Sequence, residues 1–122
     1  MTNFLNFVLT EKRSYGVPMR YELALRKLVE FVARRASSLN QRYELKELVS
    51  PSISPLMDKA IDKIVLSIAR RNGGLWCNLC DKGPFTKRGF YLHLIRVHQK
   101  DIEFMIKEEL NKLLEVVSKT PR

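Results

Sequence analysis

The stretch Cys77-Asn78-Leu79-Cys80-Asp81-Lys82-Gly83-Pro84-Phe85-Thr86-Lys87-Arg88-Gly89-Phe90-Tyr91-Leu92-His93-Leu94-Ile95-Arg96-Val97-His98 holds every cysteine and every histidine of the chain, in the order Cys-x2-Cys-x12-His-x4-His. Two thiolates and two imidazoles at these separations close a tetrahedral site on Zn²⁺ and leave no open coordination position. The sequence therefore predicts a metal that supports structure and carries out no reaction. Leu75 to Cys80 is expected to form one edge of a β-hairpin, with the two cysteines in the turn after its first strand. Gly83-Pro84 then turns the backbone toward Phe85. The helix that follows should begin near Thr86 or Lys87, which sets His93 and His98 about a turn and a half apart on one face.

These residues, and the segments Lys87-Arg88-Gly89 and His93-Leu94-Ile95-Arg96-Val97-His98 in particular, resemble the C2H2 (TFIIIA-type) zinc-finger family over residues 75–98, less than a quarter of the chain. No second finger and no Thr-Gly-Glu-Lys-Pro linker is present, and on the same two segments the chain also resembles the compact single-finger proteins of archaea and their viruses. The resemblance implies that Cys77, Cys80, His93 and His98 hold Zn²⁺ and that Phe90 packs beneath it. The family's other core aromatic stands four residues after the second cysteine, where this chain has Pro84. Phe85 is expected to take that role in a slightly altered hairpin. The family reads bases through helix positions that fall here on Thr86, Arg88, Gly89 and Leu92. Only Arg88 is a strong base reader. Lys82, Lys87, Arg88 and Arg96 can still hold phosphates without reading sequence.

The surrounding chain is basic in an uneven way. Its net charge is +9, of which residues 17–72 carry +5, residues 73–98 carry +3, and residues 99–122 carry none. Such an excess suits a polyanion, and nucleic acid is the usual one. One finger spans about three base pairs, so a basic helical lobe or a second subunit is needed to supplement it.

Upstream of the finger, Leu25, Leu28, Val29 and Val32 recur at helical spacing behind Pro18 and predict a helix over about 18–37. Glu44 to Val49 is expected as a short helix or extended piece. Ser54 as N-cap, Pro55 in the first turn, and the stripe Met57, Ile61, Ile64, Val65 and Ile68 predict a helix over about 55–71, stopped by Asn72-Gly73-Gly74. The short element, turn and helix across 44–71 resemble a helix-turn-helix, with Leu75-Trp76 beginning a wing. In that arrangement Lys59, Lys63, Arg70 and Arg71 face DNA; in an ordinary helical hairpin they are its wet side.

Downstream, Ile102, Ile106, Leu110, Leu113 and Val117 continue the helical spacing after His98 with no stop signal. A finger helix running unbroken over about 87–118 is expected, its stripe docked on the N-terminal lobe or paired with a second copy in a homodimer. The fold class is thus mainly α with a small β-hairpin. Its parts are an N-terminal arm or short helix (1–16), a basic helical lobe (17–72), the finger (73–98) and an amphipathic C-terminal helix (99–122).

With 122 residues the chain is long enough for one compact domain. Both cysteines lie in the motif, which points to a reducing, intracellular setting: cytoplasm or nucleoid, or the nucleus of a eukaryote. The apolar run Phe4 to Leu9 is too short to span a bilayer, and no membrane association is expected. No glycine-rich phosphate loop or nucleophile motif suggests an enzyme or a small-molecule substrate. The expected function is that of a small DNA-binding transcriptional regulator, with DNA favoured over RNA as partner. The alternatives are an adaptor that binds protein through Phe4, Phe7 or the 102–117 stripe, and an RNA-binding protein.

Overall fold

A computed structural model describes residues 18–119 of the chain, and the expectations for Phe4, Phe7 and the 1–16 arm lie outside them. The order of elements is α1 (Pro18–Ala36), α2 (Leu45–Leu48), α3 (Ser54–Ile68), β1 (Ala69–Arg71), β2 (Leu75–Cys77), α4 (Lys87–Val97) and α5 (Gln99–Lys119). Helix α1 is the hub, because α3, α4 and α5 all pack against it.

The α1 sequence dictates this role. Leu25, Leu28, Val29, Val32 and Ala36 fall three or four residues apart and are all buried, and Phe31 and Ala33 widen the buried face on either side. The helix closes with two bonds: Leu39 N–H donates to the Arg34 carbonyl at 2.8 Å and Ser38 N–H to the Arg35 carbonyl at 3.2 Å. Both depend on a residue with left-handed backbone geometry, and Ser38, at φ 60°, supplies it where glycine is usual. Leu45 and Leu48 then bury the single-turn helix α2.

Helix α3 buries Met57, Ala60, Ile61, Ile64 and Ile68, much as the expected stripe requires, with Val65 only partly covered. Its N-cap is Ile53 and not Ser54, and no side chain caps it. The Ser50 carbonyl accepts from the N–H groups of both Ile53 and Ser54, so the chain is already turning before Ser54 is reached. The other end differs more. The helix stops at Ile68, where Ala69 adopts extended geometry (φ −131°, ψ 141°), and Ala69-Arg70-Arg71 form a strand, not a last helical turn.

That strand explains the placement of the hairpin. β1 pairs antiparallel with β2 in the register Ala69↔Cys77, Arg70↔Trp76 and Arg71↔Leu75 around Asn72-Gly73-Gly74. On its other side Leu75 forms a bridge to Phe85 alone. The expected edge Leu75–Cys80 is therefore shortened to Leu75–Cys77 and sits in the middle of a three-part arrangement. The backbone is tight here: a Cβ on Gly83 would lie 2.8 Å from the Trp76 ring and 2.9 Å from the Leu75 carbonyl oxygen.

Helix α4 begins where the sequence placed it. Thr86 is its N-cap, and the threonine hydroxyl accepts from Gly89 N–H at 3.0 Å. The expected continuation to about 118 is present with one interruption. His98 leaves helical geometry (φ −117°, ψ 20°) and separates α4 from α5. Bonds from His98 N–H to the Leu94 carbonyl and from Ile102 N–H to the His98 carbonyl, both 3.0 Å, carry the chain across the bend.

Ile102, Ile106 and Leu110 on α5 are 0% exposed, packed against α1 and α3 in one core that also takes in Phe90, Leu94, Leu75 and Cys77. The stripe that can make a dimer seam is thus used inside the chain. Removing a side chain from this core leaves a hole the surrounding helices cannot fill, and Ile106→Ala is expected to lower stability by about 2–5 kcal/mol. Leu66, which is 77% exposed, should tolerate alanine within about 0.5 kcal/mol. Urea unfolding of both variants checks the contrast.

Candidate metal centre

Three elements deliver the four ligands. Cys77 ends β2, Cys80 lies in the turn after it, His93 is on α4, and His98 stands at the α4–α5 bend. One ligand atom from each lies within 4.8 Å of every other, so the group can hold a metal ion. Cys80 Sγ and His93 Nε2 are already 3.2 Å apart. Ligand atoms at ordinary metal–sulfur and metal–nitrogen distances in a tetrahedron stand roughly 3.3–3.8 Å from one another, so small side-chain adjustments suffice.

The turn is held by its own backbone. Asp81 N–H donates to the Cys77 carbonyl at 2.7 Å and Cys77 N–H to the Lys82 carbonyl at 2.9 Å. Asp81 takes left-handed geometry at φ 61°. Arg70 fastens the turn from outside: its guanidinium donates to Asn78 Oδ1 at 2.6 Å, pairs with the Asp81 carboxylate, and lies over the Trp76 ring.

The sharpest indication of an ion is on His98. The residue is 6% exposed, its Nε2 is buried without a hydrogen-bond partner among the described residues, and its Nδ1 is 2.9 Å from Asp101 Oδ2. A buried imidazole nitrogen with nothing to bond costs about 1–3 kcal/mol, a cost that a coordinated ion removes. Beneath the site, Phe85 stacks on His93 with centroids 4.7 Å apart and on Phe90 at 5.7 Å. Phe90 is fully buried, whereas Phe85, expected to be buried as well, is half-buried.

The four groups titrate as a cluster. Burial pushes the Cys77 thiol up, and backbone hydrogen bonds from Cys80 and Leu79 offset this only in part. At Cys80 burial acts in the same direction, but the neighbouring His98 imidazole, the Lys82 backbone and Cys77 outweigh it and bring the thiol down. Burial lowers His93, helped by the positive charges of His98 and Lys82. For His98 burial also lowers, yet the bond to Asp101 and the nearby Cys80 sulfur prevail and raise it.

The predicted basic residues divide into two groups. Arg70 is bound into the cysteine turn, Arg71 donates to Ser38 Oγ at 2.7 Å, and Lys63 pairs with Glu109 at 3.4 Å. These three of the four helix-turn-helix candidates have partners within the chain; Lys59 is exposed and carries no ion pair among the described residues. Neither do Lys82, Lys87, Arg88 and Arg96, all of which are exposed around the finger. Arg88 and Arg96, eight residues apart, share the outer face of α4 about 12 Å from each other. Asp101 and Asn78 were missed from sequence. An acid three residues after a ligand histidine was the readable signal for the first, whereas Asn78 depended on Arg70 being on a strand.

Compared with protein-family profiles, with curated proteins and with solved structures, the chain matches none.

Metal binding requires every ligand in its deprotonated form. Because His98 and Cys77 both hold their protons to higher pH than usual, affinity is expected to fall steadily as pH drops from about 8 to about 6. Chelator competition across that range measures it, and a pH-independent affinity would contradict the ligand set. Cys77→Ser should abolish stoichiometric metal binding and also loosen the shared core, since Cys77 is itself 0% exposed.

Proposed function

We propose that the protein is a zinc-stabilised nucleic-acid-binding protein that grips the phosphate backbone, with duplex DNA as its partner and transcriptional regulation as its role. Two thiolates and two imidazoles in a closed site suit Zn²⁺ over the harder divalent ions, which prefer oxygen. The observation that carries the reading is the set of cations beside the metal centre that have no ion-pair partner among the described residues: Lys82, Lys87, Arg88 and Arg96, exposed around a helix with no acid in its first turn. The positive end of α4 reinforces Lys87 and Arg88, in its first turn, toward an anion.

Base reading has little support from the same helix. The Thr86 hydroxyl is engaged in capping Gly89. Gly89 has no side chain, and a Cβ there would lie 2.9 Å from that hydroxyl. Leu92 is half-buried. Arg88 is left as the only base-reading position with a free polar side chain, so the favoured mode is a backbone grip with weak sequence preference.

One observation favours a protein-binding adaptor as second reading: Phe104 and Val97, at 62% and 60% exposed, leave apolar surface on α5 and at the end of α4. Titration of duplex DNA over a salt series tests the first reading. If the four finger cations each neutralise a phosphate, replacing all four with glutamine should flatten the slope of log K against log salt by about 3–4, at unchanged zinc content. Absence of binding at low salt would remove the DNA reading, and preference for RNA in direct competition would replace it.

A further inference from the structure

We propose that Asp101 is the positioning residue of the metal centre: its carboxylate turns the His98 ring so that Nε2 faces the two thiols, and so ties ion binding to the first turn of α5. The proposal rests on the metal-binding reading of the cluster. The Nδ1–Oδ2 distance of 2.9 Å is that of a good hydrogen bond to a charged acceptor. It assigns the ring proton to Nδ1 and leaves the buried Nε2, which has no hydrogen-bond partner among the described residues, as the nitrogen with a lone pair to offer, in a residue whose ligand atom lies within 4.8 Å of those of Cys77, Cys80 and His93. A carboxylate on the far nitrogen of a ligand histidine both fixes the ring and makes it a stronger donor, and losing such a partner typically weakens metal affinity by about 10–100-fold.

The location gives the contact a second consequence. His98 is the bend between α4 and α5, and Asp101 lies in the first turn of the helix that the bend launches. The His98 carbonyl also accepts from Ile102 N–H, and the Ile102 side chain is fully buried in the core against α1 and α3. A ring held by the ion at one nitrogen and by α5 at the other therefore couples the finger to the docked C-terminal helix. His93 has no such partner among the described residues; its ring is set by stacking on Phe85.

An acid at this position also interacts favourably with the helix N-terminus, which is a purely structural role. Glu103 provides the control, because it lies in the same region of α5 and its carboxylate accepts from Gln99 Nε2 at 3.1 Å, with no bond to any of the four ligand residues among the described residues. Zinc affinity of the full-length protein, measured by competition with a chromophoric chelator, should fall about 10–100-fold in Asp101→Ala. Asp101→Asn, which keeps an acceptor oxygen but loses the charge, should recover only part of it and stay about threefold or more below the original, and Glu103→Gln should match the unsubstituted protein. The same Asp101→Ala variant should show faster hydrogen exchange at Ile102 in the presence of zinc. An Asp101→Ala affinity within about twofold of the original, or an equal loss in Glu103→Gln, overturns the proposal. If Asp101→Ala does not fold, Asp101→Asn decides alone: a loss of about threefold or more supports the role and an unchanged affinity overturns it. Failure of the unsubstituted protein to bind zinc would remove the metal reading itself, a separate result.

Discussion

Four ligand atoms must meet at one point, and that requirement shapes the C-terminal half of the molecule. Cys77 can reach the point only if β2 ends there, Cys80 only if Asp81 reverses the chain, and His98 only if the helix breaks at its own position. Each of these local conformations costs something by itself. The broken helix forgoes regular geometry, and the thiol of Cys77 is buried where a charge is disfavoured. An ion held by the four residues would convert these costs into bonds, so that its binding would contribute to folding.

The site is also inseparable from the helical core. Cys77, Phe90 and Leu94 belong to the same buried cluster as Leu28, Ile61 and Ile106. Arg34 of α1 lies over the Tyr91 ring of α4 at 5.0 Å. A free-standing finger has to bury its few apolar residues against the metal alone, whereas here α4 gains the flank of α1. This merger limits which surfaces remain for binding. Ile102, Ile106 and Leu110 of α5 are consumed internally, and three of the four basic residues proposed for a helix-turn-helix are engaged by Asp81, Ser38 and Glu109. What stays open includes the basic rim of the candidate metal centre and the exposed Phe104 and Val97.

Much of this was legible in the sequence because the signals were local. The ligand spacing, the Thr86 cap, the stripe through Met57, Ile61, Ile64 and Ile68, and the docking stripe through Ile102, Ile106 and Leu110 each follow from neighbours a few residues apart. The misplaced boundaries came from tertiary pairing. Ala69-Arg70-Arg71 continues the helical pattern of α3 in composition, but Trp76 and Leu75 offer it a strand partner that no local propensity reveals. The break at His98 is similar: Arg96 to Lys100 carries no stop signal in sequence, and the change of geometry coincides with the bond from His98 Nδ1 to Asp101. The inward use of Arg70, Arg71 and Lys63 was invisible for the same reason, since their partners are distant in sequence or on another element.

The packing of α1 against α5 has a bearing on how the chain assembles. The ligands enclose a loop of about twenty residues, from Cys77 to His98, whereas α1 and α5 are joined through about sixty residues, from Ala36 to Gln99. Closing the shorter loop is cheaper in chain entropy by about 1 kcal/mol, and it needs no helix from the N-terminal half to be in place. The metal centre is therefore the contact that can form first. Once His98 is fixed, α5 is aimed at the groove between α1 and α3, and the longest-range contacts of the molecule are made by a helix whose direction has already been set.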